Sequence, residues 1–128
     1  ILYRAADRGA EFGRRHARRM SSRTRFVEWV SGAAMFVRAD LFRSLGGFDE
    51  GYFLYFEDKD LCARARKAGS RILYCAGASV VHLRGGSAGF KPSREIRSIY
   101  RASQRRFYER HRPPLERRLV RLYQRVSP

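Results

Sequence analysis

Apolar residues make up 44% of this sequence, which is enough for a packed core, but its charge is distributed unevenly. Residues 26–92 carry 9 basic and 7 acidic residues, whereas residues 1–25 carry 8 and 2, and residues 93–128 carry 11 and 3. The middle is therefore almost balanced between two strongly basic flanks, which allows nucleic acid, an anionic membrane surface or phosphorylated substrates as partners. The longest stretch without a formal charge covers only residues 72–83, so we find none of the ~20-residue apolar segments that span membranes.

Hydrophobic spacing and glycine positions predict several short elements in the middle domain. Residues 39–45 place three large apolar side chains on one helical face, and Gly46-Gly47 would end that helix because glycine adopts left-handed geometry without steric cost. In chain order, the predicted elements are a buried strand over residues 33–37, a helix over residues 39–45, a loop rich in aromatic residues over residues 48–56, a helix over residues 58–68, and strands over residues 71–75 and 78–83.

The basic tail, residues 93–128, is predicted to form two amphipathic helices separated by Pro113-Pro114. Each helix has an apolar stripe, and arginines occupy its other faces. We expect the stripes to pack on the rest of the domain. The stripes consist of Ile96, Ile99, Tyr100, Ser103 and Phe107 in the first helix, and Leu115, Leu119, Leu122, Tyr123 and Val126 in the second.

Three carboxylates lie together where the aromatic loop meets the second predicted helix. These are Glu57, Asp58 and Asp60, and His82 follows downstream at the end of a predicted strand. Carboxylate and imidazole groups suit a divalent cation such as Mg²⁺ or Mn²⁺, and a single carboxylate in an aromatic-walled site suits a general base. The alternative is structural, because acidic residues at a helix N-terminus also stabilise the helix dipole.

Three ordered sequence blocks resemble those of family 2 glycosyltransferases. The first block, VEWVSGAAMFVR, spans residues 27–38. The second consists of GGFDE at residues 46–50 and FLYFEDKDLC at residues 53–62. The third consists of SVVH at residues 79–82 and GGS at residues 85–87. Within the family, the blocks are similar to those of rhamnosyltransferase-like and galactofuranosyltransferase-like enzymes of bacterial cell-surface polysaccharides.

The resemblance implies a GT-A fold, a Rossmann-like α/β domain. Residues 26–92 would form the C-terminal half of the catalytic domain, residues 1–25 an arginine-rich segment and residues 93–128 a helical tail. The implied activity is inverting, metal-dependent transfer of a sugar from a nucleotide-sugar donor to a cell-surface glycan or glycolipid. We find no counterpart of the family's nucleotide pocket or Asp-x-Asp metal motif, and the chain begins at Ile1, so we expect an enzyme fragment that is inactive alone.

The matching positions imply roles for individual residues. Asp58 corresponds to the family's catalytic base, and His82 corresponds to its ligand for Mn²⁺ or Mg²⁺ on the donor diphosphate. The remaining positions imply contacts: Glu57 and Asp60 would support the base or bind acceptor hydroxyls, Trp29, Gly32 and Ala33 would line the sugar and acceptor cleft, and Arg84 and Ser87 would close over the diphosphate.

Cysteine usage and charge restrict the compartment and the partners. Cys62 and Cys75 form neither a zinc pattern nor a disulfide framework, so we expect a reducing, cytoplasmic compartment. The basic charge of residues 93–128, together with the lipid-linked acceptors that the resemblance implies, predicts contact of this tail with the inner face of the plasma membrane.

The net charge of +16 leaves open a non-catalytic basic module that binds an anionic membrane or nucleic acid. The aromatic loop carries acids rather than arginines, so we expect no nucleic acid partner. The partners that the resemblance implies are a nucleotide-sugar donor and a glycan or lipid-linked acceptor.

Overall fold

The computed structural model describes residues 22–81 and 94–126 of the chain. These residues are mostly helical and include a small antiparallel sheet, and none of their helices is long and apolar enough to cross a membrane. The predicted arginine-rich segment lies almost entirely outside them. In chain order, the elements are β1 (Arg25–Val27), a 3₁₀ turn (Gly32–Ala34), α1 (Ala39–Ser44), α2 (Glu57–Lys67), β2 (Ile72–Tyr74), α3 (Arg94–His111) and α4 (Pro114–Val126).

The two strands pair with each other in an antiparallel register. The pair is extended at one end by the Ala76 N–H, which donates to Thr24 Oγ1 at 3.1 Å. This arrangement confirms the strand predicted over residues 71–75. The residues that stand opposite one another are Arg25 and Tyr74, Phe26 and Leu73, and Val27 and Ile72.

Two other predicted strands are absent from the described part of the chain. Residues 33–37 begin in the 3₁₀ turn and continue as extended chain with no strand partner, and Phe36 is 98% exposed. Residues 78–81 form no strand either, Val81 is 90% exposed, and residues 82 and 83 lie outside the described residues. Both buried-strand predictions are wrong here, because apolar and β-branched residues form a strand only where a second strand completes the hydrogen-bond ladder.

Both helices predicted for the middle domain form, with ends within one residue of those expected. α1 stops before Gly46 and Gly47, whose φ angles are +76° and +72°. α2 has acidic residues in its first turn and basic residues in its last, which matches the helix dipole at both ends. α2 ends at Lys67, Gly69 follows with a φ angle of +83°, and the Ser70 N–H donates back to the Ala65 carbonyl at 3.0 Å.

One buried carboxylate joins several of these elements. Asp60 of α2 has no exposed surface, and its carboxylate lies 2.7 Å from Arg64 Nε and 2.6 Å from His111 Nε2. The Arg64 guanidinium also donates to the carbonyls of Leu45 and Gly47 at 2.7 and 2.8 Å. The end of α1, the first turns of α2 and the last turn of α3 therefore meet at one ion-paired network.

α3 packs across the aromatic loop and α2. Tyr52 and Phe56 of the loop and Phe107 of α3 form a buried cluster. Ser103 is also buried, and its hydroxyl donates to the Leu54 carbonyl at 2.8 Å. Ser103 and Phe107 belong to the predicted α3 stripe, so this part of the prediction is confirmed.

A second ion cluster holds the aromatic loop to α3. The Asp49 carboxylate lies 3.0 Å from Arg106 Nη2, pairs with Arg110, and accepts a hydrogen bond from the Gly51 N–H at 2.9 Å. Burial acts to raise the pKa of Asp49, but the Gly51 N–H and the two guanidinium groups lower it more strongly. The resulting pKa lies below the usual value of 3.8.

α4 packs on α3 through one face only. Val120 is buried, and the Gln124 amide donates to the Arg101 carbonyl at 3.1 Å and to Gln104 Oε1 at 2.8 Å. The stripe predicted to pack on the domain lies roughly on the opposite face of the helix, at 100° per residue, so that prediction is wrong within the described chain. The exposed fractions are 68% for Leu115, 57% for Leu119, 58% for Leu122, 50% for Tyr123 and 74% for Val126.

Asp60→Asn should lower the free energy of unfolding by about 3 kcal/mol, because it leaves the Arg64 guanidinium without its buried counter-charge. Asp40→Asn is the matched control, since it also removes an acid from a helix first turn, but Asp40 is exposed and its loss should matter far less. Urea unfolding followed by circular dichroism measures both. Equal losses in the two variants would contradict the structural role of the network.

Asp49→Asn should reduce the free energy of unfolding at neutral pH and flatten its decline in acid. A carboxyl group whose pKa is lowered by folding stabilises the fold above its unfolded pKa of about 3.9, and this contribution is lost as the pH falls through the lower folded pKa. Urea titrations at a series of pH values measure the effect, with the exposed neighbour Glu50→Gln as control. Wild-type stability and wild-type pH dependence in Asp49→Asn would argue against the cluster.

Candidate active site

Two residues with left-handed backbone geometry lead into α2. Tyr55 and Phe56 have φ angles of +68° and +70°, which non-glycine residues rarely adopt. Each such residue costs on the order of 1 kcal/mol, and the geometry persists only where surrounding contacts enforce it. Strain of this kind concentrates at functional sites. The turn sets the direction in which α2 begins, and therefore where Glu57 and Asp58 lie.

Aromatic packing against α3 holds this turn in place. Phe56 is 6% exposed, and its ring centroid lies 5.3 Å from that of Tyr100 and 5.6 Å from that of Phe107. The Tyr55 ring makes an edge contact with Tyr100 at 5.6 Å. Burial of one phenylalanine side chain contributes about 2 to 3 kcal/mol, so the packing is large enough to offset the backbone strain.

Asp58 lies where two distant segments of the chain meet. Its Oδ2 accepts a hydrogen bond from the Gly32 N–H at 3.0 Å, and its Oδ1 accepts one from its neighbour, the Lys59 N–H, at 2.7 Å. A Cβ at position 32 would lie 3.4 Å from the Asp58 Cβ, which is an ordinary van der Waals contact, so the 3₁₀ turn packs directly against the start of α2. A carboxylate has about four acceptor positions, so two remain for a substrate hydroxyl.

Trp29 packs against Lys59, the residue that follows Asp58, and part of its ring is covered. The Lys59 ammonium lies 4.5 Å from the Trp29 ring centroid and 4.7 Å from that of Phe56. Burial lowers the pKa of Lys59, and the neighbouring Asp58 carboxylate acts in the opposite direction. Trp29 remains 41% exposed, which leaves indole surface accessible to a ligand.

Glu57, the first residue of α2, has an unusual carboxylate oxygen. Its Oε2 is buried and has no hydrogen-bond partner among the residues that the structure describes. A buried acceptor without a donor is costly, and nearly all buried polar atoms in proteins are paired. The described residues therefore supply no donor to this oxygen, which lies one position before Asp58.

Asp60 points away from Asp58, because two positions along an α-helix correspond to a rotation of about 200°. Asp58 is half-buried, whereas the Asp60 carboxylate has no exposed surface with which to meet an acceptor hydroxyl. Lys67 orients the His111 ring through its other nitrogen. Lys67 Nζ lies 3.3 Å from His111 Nδ1, so Nδ1 accepts a hydrogen bond and Nε2 donates to Asp60. The structure thus places Asp60 beneath the site, as a support for α2.

The structure describes one of the four remaining predicted site residues. Ala33 is exposed in the 3₁₀ turn beside Gly32, while His82, Arg84 and Ser87 lie outside the described residues. Across residues 22–81 and 94–126, no three His, Cys, Asp or Glu side chains form a group that could hold a metal ion. The described residues alone therefore do not fit a divalent cation, and His82 as a ligand stays a prediction.

Sequence reasoning missed the contribution of α3 to this site. Tyr100 contacts the strained turn, and the Ser103 hydroxyl donates to the Leu54 carbonyl. Arg106 pairs with Asp49, and His111 bonds to Asp60. Their spacing could have indicated this contribution, because it places the four side chains on neighbouring rows of one helix. A stripe that mixes serine, arginine and histidine with aromatic residues indicates that the opposing surface offers polar partners.

Comparison with known protein families gives a match over most of the chain. The family described as "Glycosyltransferase like family 2" matches residues 3–105, which include the strained turn, α2 and most of α3. No solved structure matches the chain.

Curated relatives carry sugar-transfer names. The chain is 37% identical over 93 residues to the N-acetylglucosaminyl-diphospho-decaprenol L-rhamnosyltransferase of Mycobacterium tuberculosis, a match that covers 73% of this chain and 30% of that protein. It is 45% identical over 56 residues to the rhamnosyltransferase WbbL of Escherichia coli, covering 44% of this chain and 21% of that protein. The chain thus matches about a third or less of the length of these relatives. It belongs to glycosyltransferase family 2 and shows distant homology to rhamnosyltransferases over part of its length.

Proposed function

We propose that this chain is the acceptor-and-base part of an inverting glycosyltransferase. The complete enzyme would transfer a hexosyl or deoxyhexosyl group from a nucleotide-sugar donor to a cell-surface glycan or lipid-linked acceptor. The observation that carries the proposal is the half-buried Asp58 carboxylate, oriented by the Gly32 and Lys59 N–H groups and with acceptor positions left over. The names of the rhamnosyltransferase relatives support the class of sugar.

Asp58 would act as the general base. An acceptor hydroxyl held about 2.6–3.2 Å from this carboxylate would pass its proton to Asp58 while its oxygen attacks the anomeric carbon of the donor. As that bond forms, the bond between the anomeric carbon and the diphosphate oxygen breaks, and its electron pair leaves with the nucleoside diphosphate. One displacement inverts the anomeric centre. A single carboxylate suffices because the diphosphate is a good leaving group, whereas a glycosidase needs a second carboxyl group as acid.

The surroundings of Asp58 would pre-organise the base. The Gly32 N–H fixes one carboxylate oxygen from the 3₁₀ turn, and the strained turn at Tyr55 and Phe56 fixes the start of α2. Because α3 packs on that turn, a movement of α3 would change the position of the base. Positioning to within a fraction of an ångström matters for proton transfer, which gives these contacts a catalytic consequence.

The acceptor would lie between Trp29 and the start of α2. A sugar ring would stack on the exposed part of the Trp29 indole, away from the Lys59 ammonium. Gly32 and Ala33 would border the cleft, since both are exposed in the 3₁₀ turn. Glu57, which is half-buried at the start of α2, would support the base or bind a second acceptor hydroxyl.

We propose that residues 26–92 belong to a larger GT-A, Rossmann-like domain. Two segments outside the helices and strands, residues 35–38 and 78–81, carry apolar side chains that the described chain leaves exposed, including Phe36 and Val81. Further strands of a larger sheet would pair with these segments and cover their side chains. The small fraction of each relative that the chain matches is consistent with such a larger domain.

The metal centre of this domain would include His82. The family resemblance supports His82 as a ligand for Mn²⁺ or Mg²⁺, and it supports Arg84 and Ser87 as contacts of the diphosphate. When bound, the ion would supply charge neutralisation on the departing diphosphate.

Asp58→Asn in the full-length protein encoded by the gene should lower kcat by about 10²–10⁴-fold, because the amide cannot accept the acceptor's proton. Binding of the sugar nucleotide should stay unchanged, because Asp58 serves the acceptor. Turnover assays with a panel of nucleotide sugars and calorimetric titration of the donor measure the two quantities, with Asp40→Asn as the matched control. Wild-type turnover in Asp58→Asn would exclude the base assignment.

His82→Ala should raise the Mn²⁺ concentration for half-maximal activity at least about tenfold, because loss of a ligand weakens the metal site. The control is His16→Ala, since His16 lies outside the three sequence blocks. Activity titrations with Mn²⁺ and Mg²⁺ after chelation give the measurement. An unchanged metal requirement would remove His82 from the ligand set.

A further inference from the structure

α4 presents an apolar surface that the described chain leaves uncovered. Four side chains, Leu115, Leu119, Leu122 and Val126, are 68, 57, 58 and 74% exposed. At 100° per residue they fall within an arc of about 60°, so they form one continuous line along the helix. We refer to these four side chains as the α4 stripe. Core packing does not account for the stripe, because α4 meets α3 through Val120 on another face.

Arginines border one side of the α4 stripe. Arg118 and Arg125 lie within about 60° of Leu122 around the helix, and both are exposed and in no ion pair among the described residues. Arg125 also lines a shallow cavity of about 310 Å³ together with Arg105 of α3 and with Arg121. Arg121 pairs with a glutamate of α3 at 2.8 Å, so Arg105, Arg118 and Arg125 are the cations left for an outside partner.

We propose that the α4 stripe docks on an anionic lipid bilayer. The helix would lie in the plane of the membrane surface, with the four apolar side chains at the boundary between headgroups and acyl chains. Arg118 and Arg125 would then lie at the level of the lipid phosphates, and Arg105 beside them. An anionic bilayer fits an apolar line with cations along its edge, because it supplies acyl chains to the apolar side chains and phosphates to the arginines.

Charge argues against the other occupants. A second copy would bring another tail with 11 basic and 3 acidic residues against the first, and residues 1–25 of the chain are also strongly basic. Nucleic acid would neutralise the arginines but would set phosphates, or water, against four apolar side chains. In addition, the family match ends at residue 105, so α4 lies outside the matched part of the catalytic family.

The test is flotation of the full-length protein encoded by the gene with lipid vesicles, which requires no sugar transfer and so can fail independently of the proposed enzyme. Vesicles of phosphatidylcholine alone are compared with vesicles that contain about one third phosphatidylglycerol, across a salt series. The protein should float with the anionic vesicles, less at high salt, and should not float with the neutral ones.

Two variants separate the apolar and the charged contributions. The double substitution Leu119→Ser and Leu122→Ser should weaken binding at least about tenfold, because two leucines no longer leave water. Arg118→Gln with Arg125→Gln should weaken it about thirtyfold, at roughly one tenfold step per 1.4 kcal/mol. The matched controls are Leu73→Ser on β2 and Arg43→Gln on α1, both exposed positions that should leave binding unchanged. Circular dichroism checks that each variant keeps its helices.

Four results would overturn the proposal. The wild-type protein could fail to float with anionic vesicles, or the leucine variant could float as well as the wild type, which would leave charge alone as the cause. A dimer seen by sedimentation in the absence of lipid, and lost in the leucine variant, would identify a second copy as the occupant. Duplex DNA binding at physiological salt that the leucine variant loses would likewise assign the stripe to nucleic acid.

Discussion

A carboxylate removed from water must find donors within the protein, and Asp60 finds them in three parts of the chain. Arg64 supplies a guanidinium from the same helix, His111 supplies a ring nitrogen from the last turn of α3, and the Tyr52 hydroxyl lies 3.4 Å away in the aromatic loop. None of these partners can move far without leaving a buried charge unpaired, which is strongly destabilising. The relative placement of α2, α3 and the loop follows from this constraint.

The same placement determines where Asp58 lies. The strained turn at Tyr55 and Phe56 costs on the order of 1 kcal/mol per residue, and burial of Phe56 against α3 contributes about 2 to 3 kcal/mol. Packing therefore exceeds strain, and α2 begins at a fixed angle. The Gly32 N–H then completes the orientation of the Asp58 carboxylate. The two acids of this helical turn therefore differ in environment, since Asp60 is enclosed by its partners, whereas Asp58 is half-buried and is the residue that we propose as the base.

Local sequence signals predicted the helices well and the strands poorly, for physical reasons. Glycines at 46, 47 and 69 and charges at the ends of α2 act within one turn, so the bounds of α1 and α2 could be predicted. Strand formation at residues 33–37 and 78–81 depends on a distant partner, which the local pattern does not specify. The exposed α4 stripe likewise depends on which face α3 contacts, and amphipathic spacing alone does not choose between two faces.

The candidate site was predicted in part. The acidic cluster could be found from sequence alone, and the resemblance to the family selected Asp58 within it. The rotation of about 200° between positions 58 and 60 already implies that the two carboxylates face opposite ways, a consequence that sequence reasoning could have drawn. The contacts of Tyr100, Ser103 and His111 could not be derived, because they join residues 44 or more positions apart through tertiary packing.

The most direct test is a crystal structure of the full-length protein with a nucleoside diphosphate and an acceptor sugar. The account predicts an acceptor hydroxyl within about 2.6–3.2 Å of an Asp58 carboxylate oxygen, with its ring against Trp29. Asp60 should still be enclosed by Arg64 and His111. An acceptor hydroxyl bound to another carboxylate, with Asp58 turned away from the anomeric carbon, would contradict the account.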